Sequence, residues 1–154
     1  MASKIRAAVH ARKSADFAIV ARTDARAVTG LKDAIARAVA YAEAGADILF
    51  VEAPQTVAEM QEIAHELKLP LIANMVEQGK TPFLPAEELE QIGFKIAIYP
   101  VSTLYAATRA MMKVLNHLRE KGSTETCIED LVSFEEFNNL VGVAEMRALE
   151  KRFS

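Results

Sequence analysis

DFAIVARTDA, residues Asp16 to Ala25, is the stretch whose reading decides the fold. Phe17 to Ala21 is a short apolar run with β-branched members between polar residues, the pattern of a buried strand. It ends in Arg22, Thr23 and Asp24, three polar groups delivered where a buried strand reaches open space. Two more apolar runs end alike. ILFVEAP, from Ile48 to Pro54, closes on Glu52; PLIANMVEQGKTP, from Pro70 to Pro82, closes on Asn74, Glu77 and Thr81. A helical pattern follows each. Polar groups at the carboxyl ends of successive parallel strands are where α/β folds assemble small-molecule sites.

The flanking segments fit the same plan. Ser3 to Lys13 reads as a helix. From Gly30, the residues Leu31, Ile35, Ala38 and Ala42 recur at helical spacing, and Gly45 stands where a left-handed helix cap belongs. Thr56 and Glu59 form a capping-box pair opening a helix with Val57, Met60, Ala64 and Leu67 on one face. Pro85 suits the first turn of AEELEQI, Gly93 ends that helix, and FKIAIYP is a fourth strand. A long helix from Ser102 to Lys121 is expected to bury Leu104, Thr108, Met111, Leu115 and Leu118. Ser123 to Asp130 is loop-like. Ser133 and Glu136 form a second capping box before a short helix carrying Phe134 and Phe137, and Gly142 separates it from a last helix.

Strand starts near residues 17, 48, 71 and 96 are spaced as βα units, so the sheet is expected to be parallel. The fold class is α/β. Four βα units make half of an eight-stranded barrel, or a small open sheet covered on both faces. The expected division is 1–122 for the βα units and 123–154 for a helical tail.

Bulk properties narrow the partners. The 154 residues carry a formal net charge of -3, too little positive charge for nucleic acid. No apolar run approaches the ~20 residues of a membrane span. One cysteine, Cys127, permits no internal disulfide and fits a reducing, cytoplasmic setting. His10, His65 and His117 are dispersed on helices, and surface or packing roles suit them better than catalysis.

With KIRAAVHAR, DFAIVARTDA, AGADILFVEAP, LIANMVEQGKTP and the IYPVSTL run in place, the chain resembles the isocitrate lyase/phosphoenolpyruvate mutase superfamily over residues 3 to 122, and SFEEFNNLVG in the tail also fits. The resemblance implies a barrel of eight βα units, Mg²⁺ dependence, and cleavage or rearrangement of bonds next to a 2-oxo acid through a pyruvate-enolate-like intermediate. It implies that Arg22 holds a substrate carboxylate, a task suited to a planar guanidinium. Glu52 would sit near the metal and the enolate oxygen without ligating the metal itself, and Asn74 would donate to a carboxylate or leaving group. Arg22, Glu52 and Asn74 are thus the expected catalytic residues. Arg22, Asn74, Gly79 and Thr81 are expected to bind substrate, a small 2-oxo acid, in a homo-oligomer. Structural alternatives stand beside these roles: Arg22 pairing with Asp24 or Asp47, Glu52 capping a helix, Asn74 and Thr81 forming turns.

Departures from the family pattern shape the expectation further. The Asp-Ala-Asp-Thr-Gly-Tyr-Gly-like metal segment and the Lys-Cys-Gly-His-like loop are absent from this sequence; Cys127 precedes Ile128 and cannot stand in. No metal ligand is therefore expected in this chain. It is expected to be the carboxyl half of a longer enzyme, inactive or nearly so alone. Tyr105 and Phe134 occupy positions where methylisocitrate lyases carry arginines. A tricarboxylate needs a cation for each carboxylate, so oxaloacetate decarboxylase-like or phosphonate-type chemistry is favoured over methylisocitrate cleavage. The rival readings are a non-catalytic half-barrel that oligomerises or binds small anions, and a self-contained open-sheet domain. Asp24, Glu52 and Glu77 are the acidic residues at these strand ends that could gather a single metal ion.

Overall fold

The computed structural model describes residues 1–153. The chain divides into two compact units, Met1–Leu104 and Tyr105–Ser154. In the first, four short strands alternate with helices: α1 (Ala2–Ala11), β1 (Val20–Thr23), α2 (Leu31–Glu43), β2 (Ile48–Val51), α3 (Val57–Glu66), β3 (Ile72–Asn74), α4 (Ala86–Ile92) and β4 (Ile96–Ile98). All pairings are parallel. β1 pairs with β2 and β3 with β4, and a bridge between Leu49 and Leu71 joins the two pairs in the order β1-β2-β3-β4. Leu49 N–H donates to the Pro70 carbonyl at 3.0 Å across that junction. This is four βα units of a βα barrel, with a helical tail after them.

Strand side chains alternate faces, and the alternation divides the half-barrel. Ala21, Leu49, Val51, Leu71, Ala73 and Met75 bury against Ala34, Ala38, Met60, Ile63 and Leu89 of the helices. Thr56 caps α3, its side-chain oxygen accepting from Glu59 N–H at 3.1 Å, a contact worth about 1 kcal/mol. Gly45 follows α2 at φ +99°, and a Cβ there would lie 2.9 Å from Val9 Cγ2; both conformation and the approach of α1 require glycine.

Several expectations are corrected. β1 starts at Val20 rather than Phe17, because pairing begins where Val20 meets Ile48; Phe17 lies in a turn with its ring 67% exposed. The Thr56 box is half formed: Glu59 sends its carboxylate to Gln55 N–H and Arg26, not back to Thr56. Pro85 is the cap preceding α4 rather than a residue of its first turn.

Helix α5 (Ser102–Lys121) has the expected bounds but not the expected burial: Leu104, Met111, Leu115 and Leu118 are exposed. Helical spacing reveals a stripe but not whether the same chain covers it. In the second unit, Glu125–Asp130 is a 3₁₀ turn rather than plain loop, and Cys127 is buried there, its thiol donating to the Thr124 carbonyl. α6 (Phe134–Leu140) opens with the complete Ser133–Glu136 capping box, and α7 (Val143–Phe153) follows Gly142. Among the described residues no helix is long and apolar enough to cross a membrane.

Candidate functional site

The strand face away from the helix-packed core carries the chemistry. On β1, Ala21 and Thr23 are buried while Val20 and Arg22 are exposed. In register, Arg22 stands opposite Phe50 on β2, with its guanidinium 5.0 Å from the Phe50 ring centroid. Two residues beyond Phe50 comes Glu52, and two beyond Ile72 comes Asn74, so the period-2 alternation puts all three polar groups on one face. Glu52 N–H donates to the Thr23 carbonyl at 3.0 Å, continuing the ladder to the point where its side chain is needed.

The side chains meet. Arg22 grips Asp24 with its Nε at 3.1 Å and Nη2 at 2.6 Å, and Nη2 also lies 3.4 Å from a Glu52 oxygen. Asn74 Nδ2 sits 3.3 Å from both Glu52 oxygens. The Asp24 hydrogen bonds, with Glu52 adding to them, raise the Arg22 pKa above its ordinary value; the same hydrogen bonds hold Asp24 below the usual carboxylate range. The Oδ1 of Asn74 is buried with no hydrogen-bond partner.

The loop after β3 closes the site. Gly79 N–H donates to the Val76 carbonyl at 3.0 Å, and a Cβ on Gly79 would lie 2.9 Å from that oxygen, so the turn admits no side chain there. Ala53 and Gln78 both adopt left-handed backbone, at φ 54° and 60°. Such strain costs about 1–3 kcal/mol per residue and collects at functional loops. Arg22, Glu52, Asn74, Gly79 and Thr81 line one cavity of about 320 Å³, together with Asp24, Ala53, Val76 and Lys80.

Every residue expected to carry the site therefore reaches the same cavity. Two further charged side chains, Asp24 and Lys80, line it as well. The sequence signal for Lys80 is its place between Gly79 and Thr81, two residues expected in the pocket wall. Glu77 goes elsewhere: one oxygen accepts from Ser102 Oγ, and the other is buried without a partner. Arg12, rather than Arg22, pairs with Asp47, at 2.7 Å.

The donor set does not fit Mg²⁺. Among the described residues no group of three or more His, Cys, Asp or Glu side chains gathers as a metal site. The carboxylate of Glu52 faces an amide N–H and a guanidinium, whereas Mg²⁺ requires an octahedral shell of oxygens. What the site presents is a guanidinium and a side-chain amide, each held in orientation by a carboxylate.

Four βα units with a polar cluster at their carboxyl ends define the rim of a barrel-type α/β protein. The chain belongs to the phosphoenolpyruvate phosphomutase family, whose sequence pattern matches residues 1–119, within the phosphoenolpyruvate mutase/isocitrate lyase superfamily. It is 43% identical, over all 154 residues, to 2,3-dimethylmalate lyase of Eubacterium barkeri, of which it covers 53%. A crystal structure of 2,3-dimethylmalate lyase superposes with a TM-score of 0.90 at 30% identity, over 99% of this chain and 53% of that one. Phosphonopyruvate hydrolase, in a complex with oxalate and Mg²⁺, superposes with a TM-score of 0.85 at 31% identity, over 99% of this chain and 54% of that one. The chain spans about half the length of the curated relatives it matches.

Proposed function

We propose that the cavity binds a carboxylate end of a small 2-oxo acid or dicarboxylate. The chain would supply the anion-holding and orienting groups of a carbon–carbon lyase reaction passing through an enolate. The observation that carries this reading is the convergence of Arg22, Glu52, Asn74, Gly79 and Thr81, drawn from three successive strand ends, on one cavity. Two donors in that cavity, Arg22 and Asn74, are held by Glu52. Donors fixed before ligand arrives bind without reorganising. The relatives named above act on, or are seen with, small acids of this kind.

In this scheme Arg22 anchors the carboxylate, and Asn74 with Thr81 orients the group that departs. Glu52 keeps Arg22 and Asn74 in place. The Mg²⁺ seen with phosphonopyruvate hydrolase would need ligands from residues other than those described here. The resemblance, which sets Tyr105 and Phe134 at positions where methylisocitrate lyases carry arginines, favours oxaloacetate-type or phosphonate-type acids over a tricarboxylate.

The test is calorimetric binding of oxalate, a planar mimic of pyruvate enolate, alongside pyruvate release from oxaloacetate with Mg²⁺. The 154-residue chain should bind oxalate, and Arg22→Ala should weaken binding about tenfold or more, the loss of a charge-assisted contact. With no metal cluster among the described residues, turnover by this chain should be nil or nearly so. That observation also favours a second reading, an anion-binding half-barrel without catalysis. Adding the amino-terminal half of a relative in trans separates the two: restored pyruvate release supports the lyase, and binding alone supports the remnant. Oxalate binding unaffected by Arg22→Ala would sink both.

A further inference from the structure

We infer that Lys80 takes the second carboxylate of a dicarboxylate ligand and so selects acids with two carboxylates over counterparts with one. This rests on the anion-binding reading above. The cavity wall holds four charged side chains: Arg22, Lys80, Asp24 and Glu52. Three of them are engaged with one another. Arg22 spends its Nε and Nη2 on Asp24 and approaches Glu52, leaving Nη1 for a ligand, and Glu52 is further held by Asn74. Among the described residues Lys80 pairs with no carboxylate; the ion pairs lie elsewhere.

Arg22 between Asp24 and Glu52 leaves one negative charge in excess at the cavity wall. A monocarboxylate can be met by the Nη1 of Arg22, which faces neither carboxylate. A dicarboxylate brings a second charge to a wall already negative without Lys80, and like charges repel. Lys80 is the cation in reserve, a compact ammonium on a flexible stem that can follow a ligand's length.

Its backbone origin is not left loose. The Val76–Gly79 turn, tight enough to exclude a Cβ at Gly79, and the left-handed Gln78 fix where Lys80 leaves the chain. The side chain itself is exposed, so its substitution does not threaten the core.

Calorimetric titration of the 154-residue chain with pyruvate and with freshly dissolved, metal-free oxaloacetate, which differ by one carboxylate, tests the assignment. The wild-type chain should bind the dicarboxylate more tightly. Lys80→Met should weaken it about tenfold while leaving pyruvate within about twofold, and Lys80→Arg should restore most of the difference. Equal loss for both ligands, or no loss, would overturn the role of Lys80 and leave anion binding at Arg22 standing. A wild-type chain that binds neither acid would overturn this inference together with the reading it rests on.

Discussion

One side-chain amide decides whether two carboxylate oxygens at the rim are held or exposed to repulsion. Asn74 Nδ2 lies 3.3 Å from both oxygens of Glu52, which in turn lies 3.4 Å from Arg22. Asn74→Asp preserves shape and replaces a donor by a second negative charge at contact distance. Like charges in contact repel until one takes up a proton. The variant should therefore be destabilised at neutral pH, by about 1–3 kcal/mol for the lost donor, and should regain stability as pH falls into the acid range. Melting temperatures of the variant against wild type between neutral and mildly acidic pH check this; a constant difference across that range would rule it out. The residues of this site were legible because each closes an apolar run and because the family resemblance singles them out; strand parity explains why they then share a face. Arg22, Glu52 and Asn74 each follow an apolar run at an even step from the residues sharing their face. What parity could not give was the pairing: Asp24 clasping Arg22, and Lys80 unpaired beside them, are facts of side-chain reach.

Helix α3 is tied to the loop behind β1 by an element-level clamp. Arg26, in the turn directly after Asp24, donates from Nε and Nη2 to Glu59 at 2.9 and 2.5 Å, with side chains 20% and 18% exposed. Glu59 also accepts from Gln55 N–H at 2.8 Å. The Arg26 hydrogen bonds first, and the Gln55 amide second, lower the Glu59 carboxyl below its ordinary 4.5. A folded-state pKa below the unfolded one adds stability that is fully present above the unfolded value and lost as pH falls through the folded value. Acid unfolding should thus show a contribution from Glu59 that disappears below about pH 4.5. Glu59→Gln should lower stability at pH 7 and narrow the gap to wild type progressively through that range. A gap that widens on acidification would refute the clamp. This pair was hidden in the sequence because 33 residues separate its members, and because Glu59 at the third position of α3 matched a capping box that accounts for only half of what it does. Element bounds were more legible: Ile48–Val51, Ala86–Ile92 and Ser102–Lys121 lie within the segments read from apolar period and glycine stops. The start of β1 was not, since an apolar residue such as Phe17 says nothing of where ladder partners begin.

At the scale of the whole molecule, apolar surface remains without cover within this chain. Leu104, Met111, Leu115 and Leu118 recur along one side of α5, and Leu115 is 63% exposed. Phe134, Phe137 and Leu140 of α6 and Met146, Leu149 and Phe153 of α7 are likewise exposed. In the sheet, β1 pairs only with β2 and β4 only with β3, so among the described residues both outer strands keep an edge free for pairing. Open strand edges and large exposed apolar patches both favour association. Burying one leucine side chain is worth about 1.5–3 kcal/mol, so covering the stripe on two copies at once gives a gain of the same order as the cost of association. We therefore expect the chain to self-associate, its weight-average mass in sedimentation equilibrium rising above 16.9 kDa as concentration passes into the tens of micromolar. Replacing Leu115 and Leu118 together by lysine should return it toward the monomer without loss of secondary structure, because neither side chain is part of the core. If the double variant associates as strongly as wild type, the sheet edges rather than α5 hold the copies together; charged substitution at Val20 and Ile96, exposed residues of the two outer strands, then becomes the deciding change. A chain that stays monomeric at every concentration would show that neither the stripe nor the edges draw a second copy, and would remove the homo-oligomer from the reading of this protein.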